Sequence, residues 1–257
     1  DATKIIPGGN QMISKNPTNL LPYQWPLYYT KAEGIKIWTT ENSKFYDYSI
    51  MGVGTNILGY ANKNVNRHVK KCIDYGSMST INSFEEYKLA EELIKMNPWA
   101  DMVRFARTGG EINSLAIRVA RASTGKNKIA FCGYHGWHDW YLSANLSNKN
   151  NLNSHLMKGF YTSGVPKYLK NTSFGFEFNN ISSLKKLLKK EKDIGIIKLE
   201  IFRNYKPKLA FLKEIRKICS EKNIVLIFDE CTSGFRVNYG GVYKNFKIEP
   251  DLVLFGK

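Results

Sequence analysis

Two apolar stretches near the end of the chain each lead into a residue that could take part in acid–base or covalent chemistry. The stretch 224–228 is followed by Asp229, and the stretch 252–255 leads to Lys257. If both stretches are neighbouring strands of a parallel sheet, a carboxylate and an amine lie at the same edge of that sheet. A buried lysine can form a Schiff base, and a buried aspartate can keep a pyridine nitrogen protonated. The alternative, a core strand followed by an ordinary surface turn, remains open on these residues alone.

Several further segments are recognisable sequence motifs that follow one another in a characteristic order. They are PGG at 7–9, ILGYANKNV at 57–65, the run from VRFARTGG to GWHD at 103–139, GVP at 164–166, LIFDECTSGFR at 226–236 and PDLVLFGK at 250–257. In these segments the chain resembles the class III, pyridoxal-phosphate-dependent aminotransferases. The resemblance is greatest to the branch that includes glutamate-1-semialdehyde aminomutase. It implies an α/β fold of PLP-transferase fold type I, and pyridoxal 5'-phosphate as cofactor.

The pattern of apolar residues predicts alternating helices and strands. Helices are expected at 62–75, 84–97, 110–123, 181–191 and 209–222, and strands at 128–132, 194–199, 223–228 and 251–255. Short apolar strands that alternate with helices are typical of a mainly parallel sheet covered by helices on both faces. Ligands of such sheets bind beyond the carboxyl ends of the strands.

The segment Thr108-Gly109-Gly110 opens the predicted helix at 110–123. Glycines allow close approach of a ligand to the backbone, and the free N–H groups at a helix start favour an anion. The alternative is an ordinary capped helix start. The resemblance implies that this segment holds the cofactor phosphate, although Gly110 stands where the family usually has a hydroxyl side chain.

Tyr134 and His135 follow the predicted strand 128–132. An aromatic ring beyond a strand end can stack on a flat heterocycle. The resemblance assigns this role to Tyr134, against the pyridine ring of the cofactor. Rim packing for Tyr134 and a hydrogen-bonded structural role for His135 are the alternatives. His135 and His138 lack a third ligand at suitable spacing, so no metal is expected.

The resemblance also gives roles to the residues around Asp229. Asp229 would pair with the pyridine nitrogen, and Cys231 would pack against the ring face opposite Tyr134. Glu200, at the end of the predicted strand 194–199, is expected to be a hydrogen-bond partner behind the cofactor. Lys257 would carry the cofactor as a Schiff base and shuttle a proton.

The resemblance implies two regions in the chain. Residues 1–61 would form the N-terminal part of the small domain and the rim of the active site, and residues 62–257 the large cofactor-binding domain. The family continues beyond the Schiff-base lysine with a C-terminal part of the small domain, which this chain does not contain. A homodimer is expected, because in the family the partner subunit completes the phosphate site.

Composition is that of a globular protein, with 43% hydrophobic and 23% charged residues in 257. No apolar run is long enough for a membrane helix, and no signal peptide is visible, so a cytoplasmic protein is expected. The cysteines at 72, 132, 219 and 231 show no metal spacing and are expected to be buried thiols. The net charge of +16 comes without a nucleic-acid-binding motif, which favours a positive field for an anionic substrate.

The substrate is the least determined feature. Residues 10–26 contain no arginine, and Lys15 is a poor replacement for the guanidinium group that grips the substrate carboxylate in aminomutases. An aminotransferase acting on a carbonyl of a small, sugar-related or phosphorylated molecule, with an amino acid as donor, is therefore preferred. Glutamate-1-semialdehyde 2,1-aminomutase and a non-catalytic scaffold domain of the same fold are the alternatives.

Overall fold

The structure is a computed structural model that describes residues 2–22, 24–155 and 160–257. Contacts divide the chain into two compact units, one that ends at Ser83 and also includes Lys257, and one that comprises Phe84–Gly256. Among the described residues, no helix is long and apolar enough to cross a membrane.

The first unit contains a three-stranded antiparallel sheet and two helices. Its elements are β1 (Tyr29–Glu33), β2 (Lys36–Thr39), β3 (Lys44–Tyr46), α1 (Met51–Gly54) and α2 (Lys63–Asp74). Short 3₁₀ helices precede them at Ala2–Lys4, Pro7–Gly9, Ile13–Lys15 and Pro17–Asn19. Contacts group α2 with this unit, and the domain boundary at 61/62 stays a prediction. That helix has no buried residue.

The second unit is built on a parallel sheet with the strand order β5-β4-β6-β7-β8. Its strands are β4 (Lys128–Cys132), β5 (Ser173–Gly175), β6 (Ile194–Glu200), β7 (Val225–Glu230) and β8 (Leu252–Phe255). Its helices are α3 (Phe84–Met96), α4 (Gly109–Thr124), α5 (Asp139–Leu142), α6 (Ile181–Lys190) and α7 (Leu209–Lys222). Short 3₁₀ helices lie at Ser143–Leu146, Lys167–Leu169 and Val242–Phe246.

Helices cover both faces of this sheet. One face packs against α6 and α7 through a core that includes Leu199, Phe228 and Leu212. The other face packs against α4 through a core that includes Ile227 and Ile117. Because successive strand residues point to opposite faces, a one-residue slip of register would exchange the two cores. The register is therefore well specified, and with it the face on which each polar side chain lies.

The predicted helices and strands of the second unit are confirmed to within two residues at each end. The edge strand β5 was not predicted, because three residues are too few for a periodic signal. The antiparallel sheet of the first unit was also missed, since most of its residues are exposed and show little apolar alternation. Cys132 and Cys219 are buried as expected and Cys231 is half-buried. The expectation that Cys72 is buried is wrong, because it lies on α2, which has no buried residue.

Candidate active site

The polar residues at the carboxyl end of the sheet lie on the face covered by α4. In the parallel pairing of β6 with β7, Glu200 is opposite Asp229 and Lys198 is opposite Ile227. Ile227 belongs to the core under α4. Since strand residues alternate between faces, Lys198, Glu200 and Asp229 all share the α4 face.

Asp229 is a buried carboxylate with three partners. Its Oδ1 accepts a hydrogen bond from the Cys231 N–H at 3.0 Å. Its Oδ2 lies 2.8 Å from His135 Nδ1 and 3.5 Å from Lys198 Nζ. Burial opposes ionisation, but the Lys198 charge and the His135 hydrogen bond hold the pKa of Asp229 well below its ordinary value. The group is therefore a carboxylate at neutral pH.

His135 is almost completely buried, with 1% of its surface exposed. Its Nε2 lies 3.1 Å from the Cys132 carbonyl oxygen, and its ring stacks on Trp140 with centroids 6.0 Å apart. Burial, with the charge of Lys198, lowers the pKa of His135 to about 4. The imidazole is consequently neutral at pH 7. His135 thus has the hydrogen-bonded structural role that the sequence left open as an alternative, and its partner is Asp229, the candidate partner of the pyridine nitrogen.

Glu200 connects the end of β6 to the segment after β4. Its Oε2 accepts a hydrogen bond from the Tyr134 N–H at 3.2 Å, and its Oε1 pairs with Arg203 Nε at 2.8 Å. Burial raises the pKa of Glu200 to about 7, although Arg203 opposes the shift. Gly133 allows the close approach, because a Cβ on it would lie 2.5 Å from the Glu200 Cβ. Glu200 therefore positions the backbone that carries Tyr134.

The Tyr134 ring is half-buried and has neighbours within its own unit. The Phe160 ring stacks on it with centroids 6.2 Å apart and planes 15° apart. The Arg203 guanidinium carbon lies 5.5 Å from the ring centroid. A second bond, from Arg203 Nη2 to Thr232 Oγ1 at 3.1 Å, fixes the guanidinium. Stacking of Tyr134 on a cofactor ring remains a prediction.

The N-terminus of α4 has the capped geometry that the sequence allowed. Thr108 is the N-cap, and its Oγ1 accepts a hydrogen bond from the Glu111 N–H at 3.1 Å. A Cβ on Gly110 would lie 2.8 Å from the His138 ring, so Gly110 is required for packing. Gly109 is exposed, and a Cβ there would meet only Cys231 Sγ, at 3.8 Å. Of the two glycines, Gly109 leaves the backbone open to an anion.

Cys231 brings three segments of the second unit together. Its Sγ lies near Gly109 at the start of α4, and a Cβ on Gly256 would lie 3.2 Å from the same sulfur. Strand β7 ends at Glu230, so Cys231 is the first residue after the strand. Burial raises the pKa of the Cys231 thiol above its ordinary value, which keeps it neutral. The side chain suits packing and not nucleophilic chemistry.

Lys257 differs from the expectation of a buried amine. Strand β8 ends at Phe255, and Lys257 has left-handed backbone geometry with φ of 59°. Because of this turn, the alternation of side chains between the two faces of the sheet does not extend to Lys257, and its side chain is exposed. Its Nζ donates a hydrogen bond to the Val53 carbonyl at 3.0 Å. The pairing of β7 with β8 is confirmed, whereas the burial of Lys257 is not seen.

Sequence reasoning missed two charged residues. Lys198 interrupts the otherwise apolar run IGIIKL at 194–199, and a lysine inside a strand buried on both faces signals a paired charge. Arg203 lies three residues after Glu200 but in neither a helix nor a strand, so no regular spacing predicts the ion pair. Neither residue belongs to the motifs on which the resemblance rests.

The residues present fit pyridoxal phosphate. Asp229 is held as a buried carboxylate, the form that a pyridinium nitrogen requires. Gly109 offers open backbone at the start of a 16-residue helix, where a phosphate is favoured. A buried carboxylate and an open helix N-terminus at the carboxyl edge of a parallel sheet are compatible with the class of pyridoxal-phosphate-binding α/β proteins.

Comparison with known proteins places the chain within that class. Residues 21–257 match the model of the family described as aminotransferase class-III, so the chain belongs to this family. The family uses pyridoxal phosphate.

The relatives and solved structures carry related but different names. The chain is 32% identical to a 3-aminobutyryl-CoA aminotransferase of Cloacimonas acidaminovorans, and 36% identical to a glutamate-1-semialdehyde 2,1-aminomutase of Methanobrevibacter smithii. Each match covers 100% of this chain and 59% of the relative. The FumI protein of Sphingopyxis sp. MTA144, solved with PLP, superposes with a TM-score of 0.86 at 27% identity, over 100% of this chain and 59% of that one. The chain therefore spans about three-fifths of the length of these proteins.

Proposed function

We propose that the protein is a pyridoxal-phosphate-dependent aminotransferase that passes an amino group from an amino-acid donor to a carbonyl of a small, sugar-related or phosphorylated molecule. The observation that carries the proposal is the buried Asp229 carboxylate at the end of β7, beside the strand that leads to Lys257. The absence of arginine from residues 10–26 and the net charge of +16 support an anionic acceptor gripped without a guanidinium clamp in that segment.

When bound, pyridoxal phosphate acts as an electron sink for the substrate carbon that loses a proton. Asp229 would face the ring nitrogen and stabilise its proton. The backbone of Gly109, with the Thr108 cap, would hold the phosphate at the start of α4. Lys257 would hold the cofactor through Nζ and move a proton at the substrate carbon. Tyr134, His135, Glu200 and Cys231 would line or support the ring.

Glutamate-1-semialdehyde 2,1-aminomutase is the second candidate. Relatives with that name are 36% and 37% identical and each match covers the whole of this chain. An aminomutase moves the amino group within one substrate, whereas an aminotransferase needs a separate donor. In both cases we expect a homodimer, which sedimentation of the active protein would test.

The test uses the full-length protein loaded with pyridoxal phosphate. Borohydride reduction followed by peptide mapping should place the cofactor on Lys257 in the wild type, and on no lysine in Lys257→Met. The matched control is Lys247→Met, an exposed lysine on the loop before β8. A panel of keto-sugars, sugar phosphates and glutamate-1-semialdehyde, each with and without glutamate or alanine, should show which amine forms.

Amine formation from a keto-sugar that requires the added donor would support the aminotransferase. Amine exchange on glutamate-1-semialdehyde without a donor would replace it with the aminomutase. A protein that takes up no cofactor would contradict both and favour the scaffold domain, and cofactor carried on another lysine would contradict the assignment of Lys257 as the Schiff-base lysine.

A further inference from the structure

Lys198 is a charged residue within the largely apolar central strand β6, two residues before Glu200 at its end. Its side chain is 0% exposed, in the middle of the seven-residue strand β6. Among the described residues, its Nζ has no hydrogen-bond partner. The 3.5 Å separation from Asp229 Oδ2 is that of an ion pair, longer than a well-formed hydrogen bond. A lysine is rarely fully buried unless its charge is compensated.

Asp229 and Lys198 each compensate the charge of the other. A carboxylate removed from water requires a counter-charge, since an unpaired buried charge is very costly. The His135 ring is neutral at pH 7 and supplies a proton but no charge. The Arg203 guanidinium is paired with Glu200 instead. Within the described residues, Lys198 is thus the cation placed to balance Asp229.

The hydrogen bonds of His135 show what that cation does. Its Nδ1 faces the Asp229 carboxylate and its Nε2 faces the Cys132 carbonyl. Both oxygens can only accept, so both contacts are hydrogen bonds only if the ring carries two protons. A positive charge on Lys198 opposes the second proton. With one proton, the ring donates from Nδ1 to the charged acceptor, which is the stronger bond.

We propose that Lys198 is a positioning residue, which as an ammonium balances the charge of Asp229 and keeps the His135–Asp229 pair in its one-proton state. Asp229 then presents a single negative charge with a fixed hydrogen-bond pattern. The groups that face Lys198 are Asp229 and Cys231 after or at the end of β7, Glu200 on its own strand and His135 after β4. This inference goes beyond the proposed function, because it concerns charges that are present without cofactor.

The consequence is a measurable shift of the His135 pKa. Loss of a unit charge a few ångströms away, at an effective dielectric constant of about 20, changes a pKa by roughly one to two units. In Lys198→Met, which keeps the volume and removes the charge, the His135 pKa should therefore rise from about 4 by at least one unit. Lys198→Arg should keep it low.

The experiment is an NMR pH titration of the histidine rings in the full-length protein without cofactor. The chain has 4 histidines, so His68→Asn, His138→Asn and His155→Asn together assign the His135 signal by elimination. The matched control is Lys128→Met, which removes a strand lysine paired with Glu191 in the same sheet. It should leave the His135 titration unchanged.

A rise of at least one unit in Lys198→Met alone supports the inference. An unchanged His135 pKa in that variant overturns it, because Lys198 would then be a neutral amine. If Lys198→Met does not fold, Lys198→Gln gives the same comparison with a polar neutral side chain. Failure of borohydride labelling at Lys257 would contradict the proposed function and leave this result unaffected.

Discussion

Replacement of Asp229 by asparagine should destabilise the protein in a way that depends on pH. The amide oxygen can keep the hydrogen bond from the Cys231 N–H. The amide NH₂ then faces His135 Nδ1, and His135 can adapt by placing its single proton on Nε2, toward the Cys132 carbonyl. Lys198 cannot adapt in this way, because its ammonium group then faces the amide NH₂, which is also a donor, and has lost the negative charge of Asp229.

The magnitude follows from the state that Lys198 must adopt. A fully buried ammonium without a partner gives up its proton, and deprotonating a lysine of ordinary pKa about 10.4 at pH 7 costs up to roughly 4.6 kcal/mol. This matches the roughly 3–5 kcal/mol measured when one partner of a buried ion pair is removed. Since the folded pKa lies below the unfolded pKa, the folded variant binds fewer protons, and its stability rises with pH. At pH 9 the loss should shrink to about 2 kcal/mol.

Urea unfolding of Asp229→Asn and wild type at pH 7, 8 and 9 measures these free energies. Asp229→Asn/Lys198→Met is the control, since it removes the orphaned amine and should lose both the pH dependence and most of the penalty. A loss that is the same at pH 7 and pH 9, or that persists in the double variant, would refute the assignment of the penalty to Lys198.

Three further changes test the surrounding structure by unfolding free energy. Burial raises the pKa of Glu200 to about 7, so protonation of Glu200 stabilises the folded protein below about pH 4.5, and this contribution is lost as the pH rises to about 7. Glu200→Gln should remove about 3 kcal/mol of this decline in the free energy of unfolding, whereas Glu221→Gln, at an exposed position, should not. Gly133→Ala combines a φ of 104° with a Cβ clash on Glu200, and should cost at least about 2 kcal/mol more than Gly125→Ala, where φ is 67° and no atom lies within 4 Å of the added Cβ. Thr108→Ala removes the cap of α4 and should cost about 1 kcal/mol, which Thr108→Ser restores; equal stability of both variants would contradict the cap.

The elements of the second unit could be predicted because their local signals agree with their packing. Strands β6 and β7 are apolar runs bounded by charged or polar residues, and Asn97-Pro98 marks the end of α3 at Met96. The parallel arrangement followed from strands separated by helices, and with it the adjacency of the ends of β7 and β8. Position in the chain therefore located Asp229 at the carboxyl end of the sheet.

The partners of Asp229 could not be predicted in the same way. The hydrogen bond from His135 spans 94 residues, and the approach of Lys198 depends on which strand lies beside β7. A sequence shows that Lys198 is out of place in a buried strand, but only the register shows that it faces the same side as Asp229. Burial and pairing are properties of the packed sheet, and no local pattern specifies them.

The charges at the end of the sheet form two linked pairs, and this arrangement explains why the region tolerates so many buried ionisable groups. Lys198 balances Asp229, and Arg203 balances Glu200, so that each of these two carboxyl groups has one cation. Glu200 nevertheless has a raised pKa while Asp229 has a lowered one. Burial is the largest influence on the pKa of both groups. At Asp229 it is outweighed by the Lys198 charge together with the hydrogen bonds from His135 and the Cys231 N–H, whereas at Glu200 it outweighs the opposing effect of Arg203. Two neighbouring carboxyl groups are thereby driven to opposite protonation preferences, with Asp229 kept ionised for a cationic ring nitrogen and Glu200 able to exchange a proton near neutral pH.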